Sequence, residues 1–98
     1  MRENMVLHSD DSVATALKPL SGGYSTSVES DRGAFCVEIR GDVPFGHKFA
    51  LRDMAAGDLV IKYGHPIGRI TKPVLAGESV HVENMESLRG RGDLETLS

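Results

Sequence analysis

Apolar and polar residues alternate along the middle of the chain in the pattern of short β-strands. From residue 47 to residue 51 the period is two, because His47, Phe49 and Leu51 fall on one side and Lys48 and Ala50 on the other. This segment predicts a strand. As neighbours in a regular strand, His47 and Lys48 are expected to point to opposite faces unless the turn before them is irregular.

Further strands are predicted on both sides of this segment. Residues 5–8 form a short apolar run, and residues 35–39 form an apolar run dense enough for a core strand. Residues 59–63 alternate in the same way as residues 47–51. Together these runs predict a mainly β fold.

One segment near the N-terminus has helical spacing instead. Asp11 or Ser12 is a suitable N-terminal cap, and Pro19 disfavours helical geometry at the residue before it. We therefore predict one short N-terminal helix of about two turns. Its buried face would consist of the apolar residues at positions i, i+3, i+4 and i+7: Val13, Ala16, Leu17 and Leu20.

A weak internal repeat also points to a small β architecture. The sequence Ala-Gly-Asp-Leu-Val at residues 56–60 is echoed by Ala-Gly-Glu-Ser-Val at residues 76–80. In both copies a glycine suited to a turn is followed by an acid and by the start of a strand. The repeat predicts two similar turn-and-strand units folded onto each other.

Composition and charge restrict the classes of function. The chain has 98 residues, enough for one domain, and a net charge of −3 with scattered basic residues argues against nucleic-acid binding. The single cysteine, Cys36, excludes an intrachain disulfide and is expected to be a small buried hydrophobe. No apolar run approaches the ~20 residues needed to span a bilayer, and the N-terminus lacks the apolar segment of a signal peptide. We expect a cytoplasmic protein without a membrane partner.

The same features predict the domain boundaries. Residues 1–4 are expected to be an N-terminal tail, residues 5–88 one β domain, and residues 89–98 a flexible C-terminal tail without periodicity.

Three strings of sequence resemble one known family. They are VLHSDDSVATAL at residues 6–17, PFGHKFAL at residues 44–51 and AGDLVIKYGHPIG at residues 56–68. Together they resemble the SAF-type β-clip domain of the altronate and galactarate dehydratase family. The resemblance implies a small β-clip fold, either fused to a large catalytic region or present as a separate small subunit. The split form is similar to the alpha subunit of sulfolactate sulfo-lyase.

Two positions depart from the pattern of that family. Ser12 stands where an asparagine is common, and Glu83 stands in a His-Val-Glu-Asn string where relatives often have a second histidine. If that histidine binds a metal or substrate in relatives, Glu83 changes the type of ligand, although a carboxylate also coordinates divalent ions.

The resemblance implies a small subunit or N-terminal module of a hydroxy-acid lyase. The reaction would be dehydration of an altronate- or galactarate-type acid, or release of sulfite from sulfolactate. A larger catalytic subunit would complete the site, so the isolated chain is expected to be inactive. The alternative is a non-catalytic SAF module that binds substrate or stabilises an oligomer. Expected partners are the large subunit, a sugar-acid or sulfo-hydroxy-acid substrate and further copies of the chain.

His47 and Lys48 are the candidate catalytic residues. Elimination from a hydroxy acid needs a base for the proton next to the carboxylate, and histidine suits that task near neutral pH. Lysine suits the negative charge of the substrate. The alternative for His47 is a structural residue that caps the strand through hydrogen bonds to the backbone.

His8, His81 and Glu83 are the candidate ligands of a possible divalent metal (Fe, Mn or Mg). If Val80 and Val82 face inward, His81 and Glu83 share one strand face and form a two-ligand half-site. His8 precedes two acids and could belong to a carboxylate–histidine cluster. A solvated polar surface is the alternative for all three residues, and His65 is interpreted as a turn residue.

Overall fold

The computed structural model describes residues 2–88, so the predicted C-terminal tail at residues 89–98 lies outside the described residues. The first strand begins at Asn4, which is buried and belonged to the predicted N-terminal tail. The strands of the described part, in chain order, are β1 (Asn4–Met5), β2 (Val13–Ala16), β3 (Ser25–Ser30), β4 (Gly33–Glu38), β5 (Lys48–Ala50), β6 (Leu59–Lys62), β7 (His65–Ile70), β8 (Ser79–Val80) and β9 (Met85–Ser87).

A four-stranded antiparallel sheet lies at the centre of the domain. Its strand order is β1-β2-β5-β8, and in its register Thr15 of β2 pairs with Lys48 of β5, which in turn pairs with Val80 of β8. The β3–β4 hairpin and a three-stranded sheet of order β6-β7-β9 form the remaining layers. The mainly β fold class is therefore confirmed.

The central sheet separates two hydrophobic cores, because successive residues of a strand point to opposite faces. In β5, Phe49 packs into a core with Val28 and Ile39 from the β3–β4 side, whereas Ala50 packs into a second core with Val60 of β6. The alternation predicted for residues 47–51 is confirmed. Face one denotes the side of the sheet with Phe49, and face two denotes the side with Ala50.

One type of turn recurs at four places in the described residues. Each begins after a residue in an isolated β-bridge and contains a glycine with positive φ, a conformation that glycine adopts without strain. The glycine N–H donates to a carbonyl at or just beyond the end of another strand. The residue after the glycine, here called the closing position, donates its N–H to the carbonyl of the residue three positions before it, and a strand follows. The four glycines are Gly23, Gly46, Gly57 and Gly77.

These turns organise the chain into two similar units. The Leu20–Val43 bridge closes the base of the β3–β4 hairpin, and the Met54–Val74 bridge closes the base of the β6–β7 hairpin. Each unit then continues through a second turn into a strand of the central sheet, β5 or β8, and these two strands pair with each other. The Ala-Gly-Asp and Ala-Gly-Glu repeat corresponds to the two turns at Gly57 and Gly77.

The predicted N-terminal helix is wrong, because residues 13–16 form strand β2. Val13 points to the core of face two, while Ala14 and Ala16 point to the core of face one. A short strand that is buried on both faces carries apolar residues on both of them, so the helical spacing of its apolar residues is coincidental. No helix in residues 2–88 is long and apolar enough to cross a membrane.

The expectation of a buried Cys36 is also wrong, because its side chain is exposed. Strand β4 forms as predicted, but only one face of the β3–β4 hairpin covers a core. Val37 lies on that covered face, Phe35 is half exposed, and Cys36 pairs with Ser27 on the outer face. An apolar run therefore indicated the strand correctly but not the burial of each residue.

Two matched glycine substitutions test the role of close packing in these turns. Gly57 and Gly77 have nearly the same φ, 97° and 92°, so alanine at either position is strained by about 1–2 kcal/mol. A Cβ at Gly57 meets open space, but a Cβ at Gly77 would overlap the carbonyl oxygen of Glu38. We expect Gly77→Ala to lower the free energy of unfolding by about 1–3 kcal/mol more than Gly57→Ala. Urea denaturation of both variants measures this difference, and equal losses would contradict the close approach at Gly77.

Candidate functional site

His47 occupies the closing position of one of the four turns. At the same position two other turns have an acid, and each carboxylate accepts a backbone N–H of its own turn: Asp58 from Ala55 and Glu78 from Leu75, each at 2.8 Å. The residue that corresponds to Ala55 in the His47 turn is Pro44, which has no N–H to donate. This turn therefore needs no side-chain acceptor at position 47.

The backbone of His47 holds the turn in place while its side chain remains available. The His47 N–H donates to the Pro44 carbonyl at 3.1 Å, and the His47 carbonyl accepts from the Ala16 N–H at 2.8 Å. Neither bond uses the imidazole, and no hydrogen bond of that ring occurs within residues 2–88. The geometry does not support the interpretation of His47 as a strand cap.

The imidazole of His47 stacks on that of His81. Their ring centroids are 4.9 Å apart and their planes differ by 7°. The cause is the pairing of β5 with β8, because the Lys48–Val80 pair, continued by one residue, places His47 opposite His81. The sequence predicts different sites for His47 and His81, and the structure brings the two residues together.

The histidine pair lies at an exposed end of the central sheet. Phe45 and Val82, which lie close to the two histidines in sequence, are 66% and 77% exposed. Two clefts of about 450 and 250 Å³ in the described residues are lined by other side chains, Arg2 among them in the first and Arg52 in the second. The site is therefore an open surface with an apolar margin.

His81 and Glu83 do not share a strand face as predicted, because β8 ends at Val80. Residues 81–84 form a turn in which the His81 N–H donates to the Asn84 side-chain oxygen at 2.9 Å. The shared face required Val82 to point inward, but Val82 lies in this turn and is exposed. Glu83 is exposed in this turn.

Lys48 lies on face two, opposite to His47, because its pairing with Thr15 and Val80 is regular. Its side chain is half buried, and that burial, together with the nearby positive charge of Lys62, lowers the pKa of the Lys48 ammonium. Lys62 is a residue that sequence analysis did not single out. No local signal marks it, since its proximity to Lys48 depends on β6 lying beside β2.

His8 belongs to a separate place in the fold. Its ring packs against Gly64 in the β6–β7 turn, and its Nδ1 accepts the backbone N–H of Asp10 at 3.1 Å. Asp11, predicted as a helix cap, instead accepts the Gly64 N–H at 2.9 Å. Ser12 is buried, and its hydroxyl accepts the Ile61 N–H at 2.8 Å, so these residues tie β2 to the second unit.

A metal site contained within this part of the chain does not fit the residues present. Residues 2–88 contain no group of three or more histidine, cysteine or acidic side chains that could hold an ion. His8, His81 and Glu83 therefore do not form a ligand set on their own. The stacked rings of His47 and His81 offer parallel faces to each other and not two nitrogens converging on one point.

Comparisons with known proteins agree with the architecture. The model of the altronate/galactarate dehydratase SAF domain matches residues 2–88. The chain is 46% identical over 78 residues to altronate dehydratase of Escherichia coli (strain K12), covering 80% of this chain and 15% of that protein. It is 30% identical over 87 residues to altronate dehydratase of Bacillus subtilis (strain 168), covering 89% and 17%. The chain therefore spans less than a fifth of these relatives.

Another relative is shorter than this chain, which covers most of its length. The match to (2R)-sulfolactate sulfo-lyase subunit alpha of Paracoccus pantotrophus has 40% identity over 62 residues, which is 63% of this chain and 92% of that protein. The SAF unit thus occurs among the relatives both within a long chain and in a protein named as a subunit.

The lowered pKa of Lys48 predicts a dependence of stability on pH. The folded state disfavours the Lys48 ammonium, so this residue costs stability at neutral pH, and the cost disappears as pH rises through its lowered pKa towards the ordinary value of 10.5. We expect Lys48→Met to raise the free energy of unfolding at pH 7, and we expect the gain to shrink towards pH 10.5. Urea denaturation across this pH range measures it, with the exposed Lys72→Met as control; a gain independent of pH would contradict the prediction.

Proposed function

Because the chain belongs to the altronate/galactarate dehydratase SAF domain family, we propose that it is the small subunit or N-terminal module of a hydroxy-acid lyase. The reaction is dehydration of an altronate- or galactarate-type acid, or release of sulfite from a sulfolactate-type acid. A larger catalytic subunit completes the site, and the protein acts in the cytoplasm. The names of the relatives, which include both dehydratases and a sulfo-lyase subunit, support this range of substrates.

The observation that carries the proposal is the position of His47. The turn places an imidazole where two equivalent turns place a structural acid, and Pro44 removes the N–H that such an acid would bind. The His47 imidazole makes no hydrogen bond within residues 2–88, and it lies at an exposed end of the sheet beside His81. Backbone hydrogen bonds fix the position of His47, and its imidazole is therefore available for chemistry.

In the proposed reaction His47 moves a proton and Lys48 supplies positive charge. The base takes the proton from the carbon next to the carboxylate, and the electron pair of that C–H bond forms a carbon–carbon double bond. The bond to the leaving group breaks; a leaving hydroxyl takes up a proton and departs as water, whereas sulfite departs as an anion. Lys48 balances negative charge on the acid substrate.

Both residues need a partner to act together. His47 and Lys48 lie at the same end of the central sheet but on opposite faces, and neither of them lines the two clefts described above. A larger subunit that covers this end could contact both faces, and the exposed Phe45 and Val82 provide apolar surface for it. If the lyase uses Fe, Mn or Mg, ligands from the partner are required, and no step assigned to this chain passes through the ion.

A second function is a non-catalytic SAF module that binds substrate or stabilises an oligomer of the lyase. The absence of a three-ligand metal group in residues 2–88 and the open surface around His47 favour this alternative. It differs from the first proposal in one respect, since removal of the His47 imidazole would then leave turnover intact.

Replacement of His47 separates the two functions. We expect His47→Ala, purified in complex with the large catalytic subunit, to lose about 10²–10⁴-fold in kcat, because a positioned proton-transfer group contributes that much. Turnover is measured with altronate, galactarate and sulfolactate, since this chain does not identify the leaving group.

The matched control is His65→Ala, which removes an exposed imidazole at the start of β7. Both variants should keep the melting temperature of the wild type and the same affinity for the large subunit. A His47→Ala complex whose kcat stays within a few-fold of the control would establish the non-catalytic module.

A further inference from the structure

His81 is held by its backbone in the turn that follows β8. The His81 N–H donates to the Asn84 side-chain oxygen at 2.9 Å, and the His81 carbonyl accepts the N–H groups of Asn84 at 2.9 Å and Met85 at 2.8 Å. The Asn84 side-chain amide donates to the Ser79 carbonyl at 2.9 Å, which ties the turn to β8. None of these bonds uses the His81 imidazole, and that ring makes no hydrogen bond within residues 2–88.

The stack with His81 restricts the imidazole of His47. His47 is half buried, and without a contact a partly exposed side chain changes rotamer on the picosecond to nanosecond timescale. The two rings, with centroids 4.9 Å apart and planes that differ by 7°, have the geometry of a favourable aromatic pair. Because backbone bonds fix the points from which both side chains start, each ring limits the rotation of the other.

The stack orients the His47 ring without using its nitrogens. A histidine base is commonly oriented by a third group, such as a carboxylate, that accepts a hydrogen bond from one ring nitrogen. No hydrogen bond or ion pair of this kind involves His47 within residues 2–88. His81 covers one face of the ring instead, and both nitrogens lie at the ring edge, outside the stack. The ring is thus held while a nitrogen stays available to accept a proton.

We propose that His81 is a positioning residue, whose ring stacks on His47 and directs the nitrogens of that imidazole towards the substrate. The contribution of His81 to turnover rests on the proposed function, whereas the restriction of the His47 ring is a property of the isolated chain. In this role His81 transfers no proton and binds no metal. A flat ring without nitrogens should therefore replace it.

Two variants of His81 separate stacking from nitrogen chemistry. His81→Ala removes the ring, and His81→Phe keeps a flat aromatic ring that neither ionises nor hydrogen-bonds. His81 is exposed and its backbone bonds do not use the side chain, so both variants should fold. His81→Tyr, which also keeps the ring, replaces His81→Phe if the phenylalanine variant does not fold.

The first measurement uses the isolated, isotopically labelled chain. NMR gives the shifts of the His47 ring protons, which a stacked ring moves upfield, and couplings give the χ1 rotamers of His47. We expect upfield shifts and one rotamer in the wild type and in His81→Phe. We expect ordinary shifts and averaged rotamers in His81→Ala. His65→Ala, which removes an exposed imidazole elsewhere, should leave both quantities as in the wild type.

The second measurement is turnover in complex with the large catalytic subunit. We expect His81→Ala to lower kcat by about tenfold or more, because a misplaced catalytic group loses rate steeply. KM should stay within about twofold of the wild-type value, since the proposed contact of His81 is with His47 and not with substrate. His81→Phe should restore kcat to within about threefold of the wild type, and His65→Ala should match the wild type.

Three outcomes overturn the proposal. His47 ring-proton shifts that are the same in His81→Ala as in the wild type exclude the stack. A His81→Phe complex as slow as His81→Ala shows that the His81 nitrogens are required, so that His81 acts by proton transfer or as a ligand. A His81→Ala complex with kcat within about twofold of the wild type shows that His47 needs no positioning. If His47→Ala leaves turnover intact, the proposed function fails while the NMR result on the isolated chain stands, so the two failures are distinguishable.

Discussion

The structure depends on one recurring type of turn, in which a glycine with positive φ donates its N–H to a carbonyl at or near a strand end. Without that bond, short strands such as the two residues of β8 could not be placed in a sheet, because their own ladders contain too few hydrogen bonds. The turn at Gly77 bonds to the carbonyl of Ala50 and brings Glu38 so close that a side chain is excluded. Repetition of the turn gives two hairpin units and a core on each face of the sheet they share.

The same repetition explains why position 47 can hold an imidazole at low structural cost. Two of the equivalent turns have an acid at the closing position, and each acid accepts an N–H of its own turn. Proline at residue 44 removes that donor while its fixed φ suits a turn. The His47 imidazole is then available for the role that we propose, while the backbone bonds to Pro44 and Ala16 keep its position fixed.

Sequence alone indicated the features that depend on local patterns. Alternation identified β5, and the glycine–acid repeat identified two turns, because each signal lies within a few residues. The predicted N-terminal helix of about two turns was wrong, because burial of residues 13–16 on both faces hides the alternation that distinguishes a strand. The stacking of His47 on His81 depends on the pairing of β5 with β8, and the effect of the Lys62 charge on the pKa of Lys48 depends on β6 lying beside β2. No pattern within a single segment contains that information.

The arrangement of side chains at the sheet end bears on the partner that we propose. The rings of His47 and His81 lie on face one and the Lys48 side chain lies on face two, so the thickness of the sheet separates the two imidazoles from the Lys48 ammonium. A substrate bound by this chain alone would meet one set or the other, with water on its remaining side. A surface that covers the sheet end excludes that water and strengthens the field of both sets. The catalytic role that we propose for this small chain therefore requires a larger assembly.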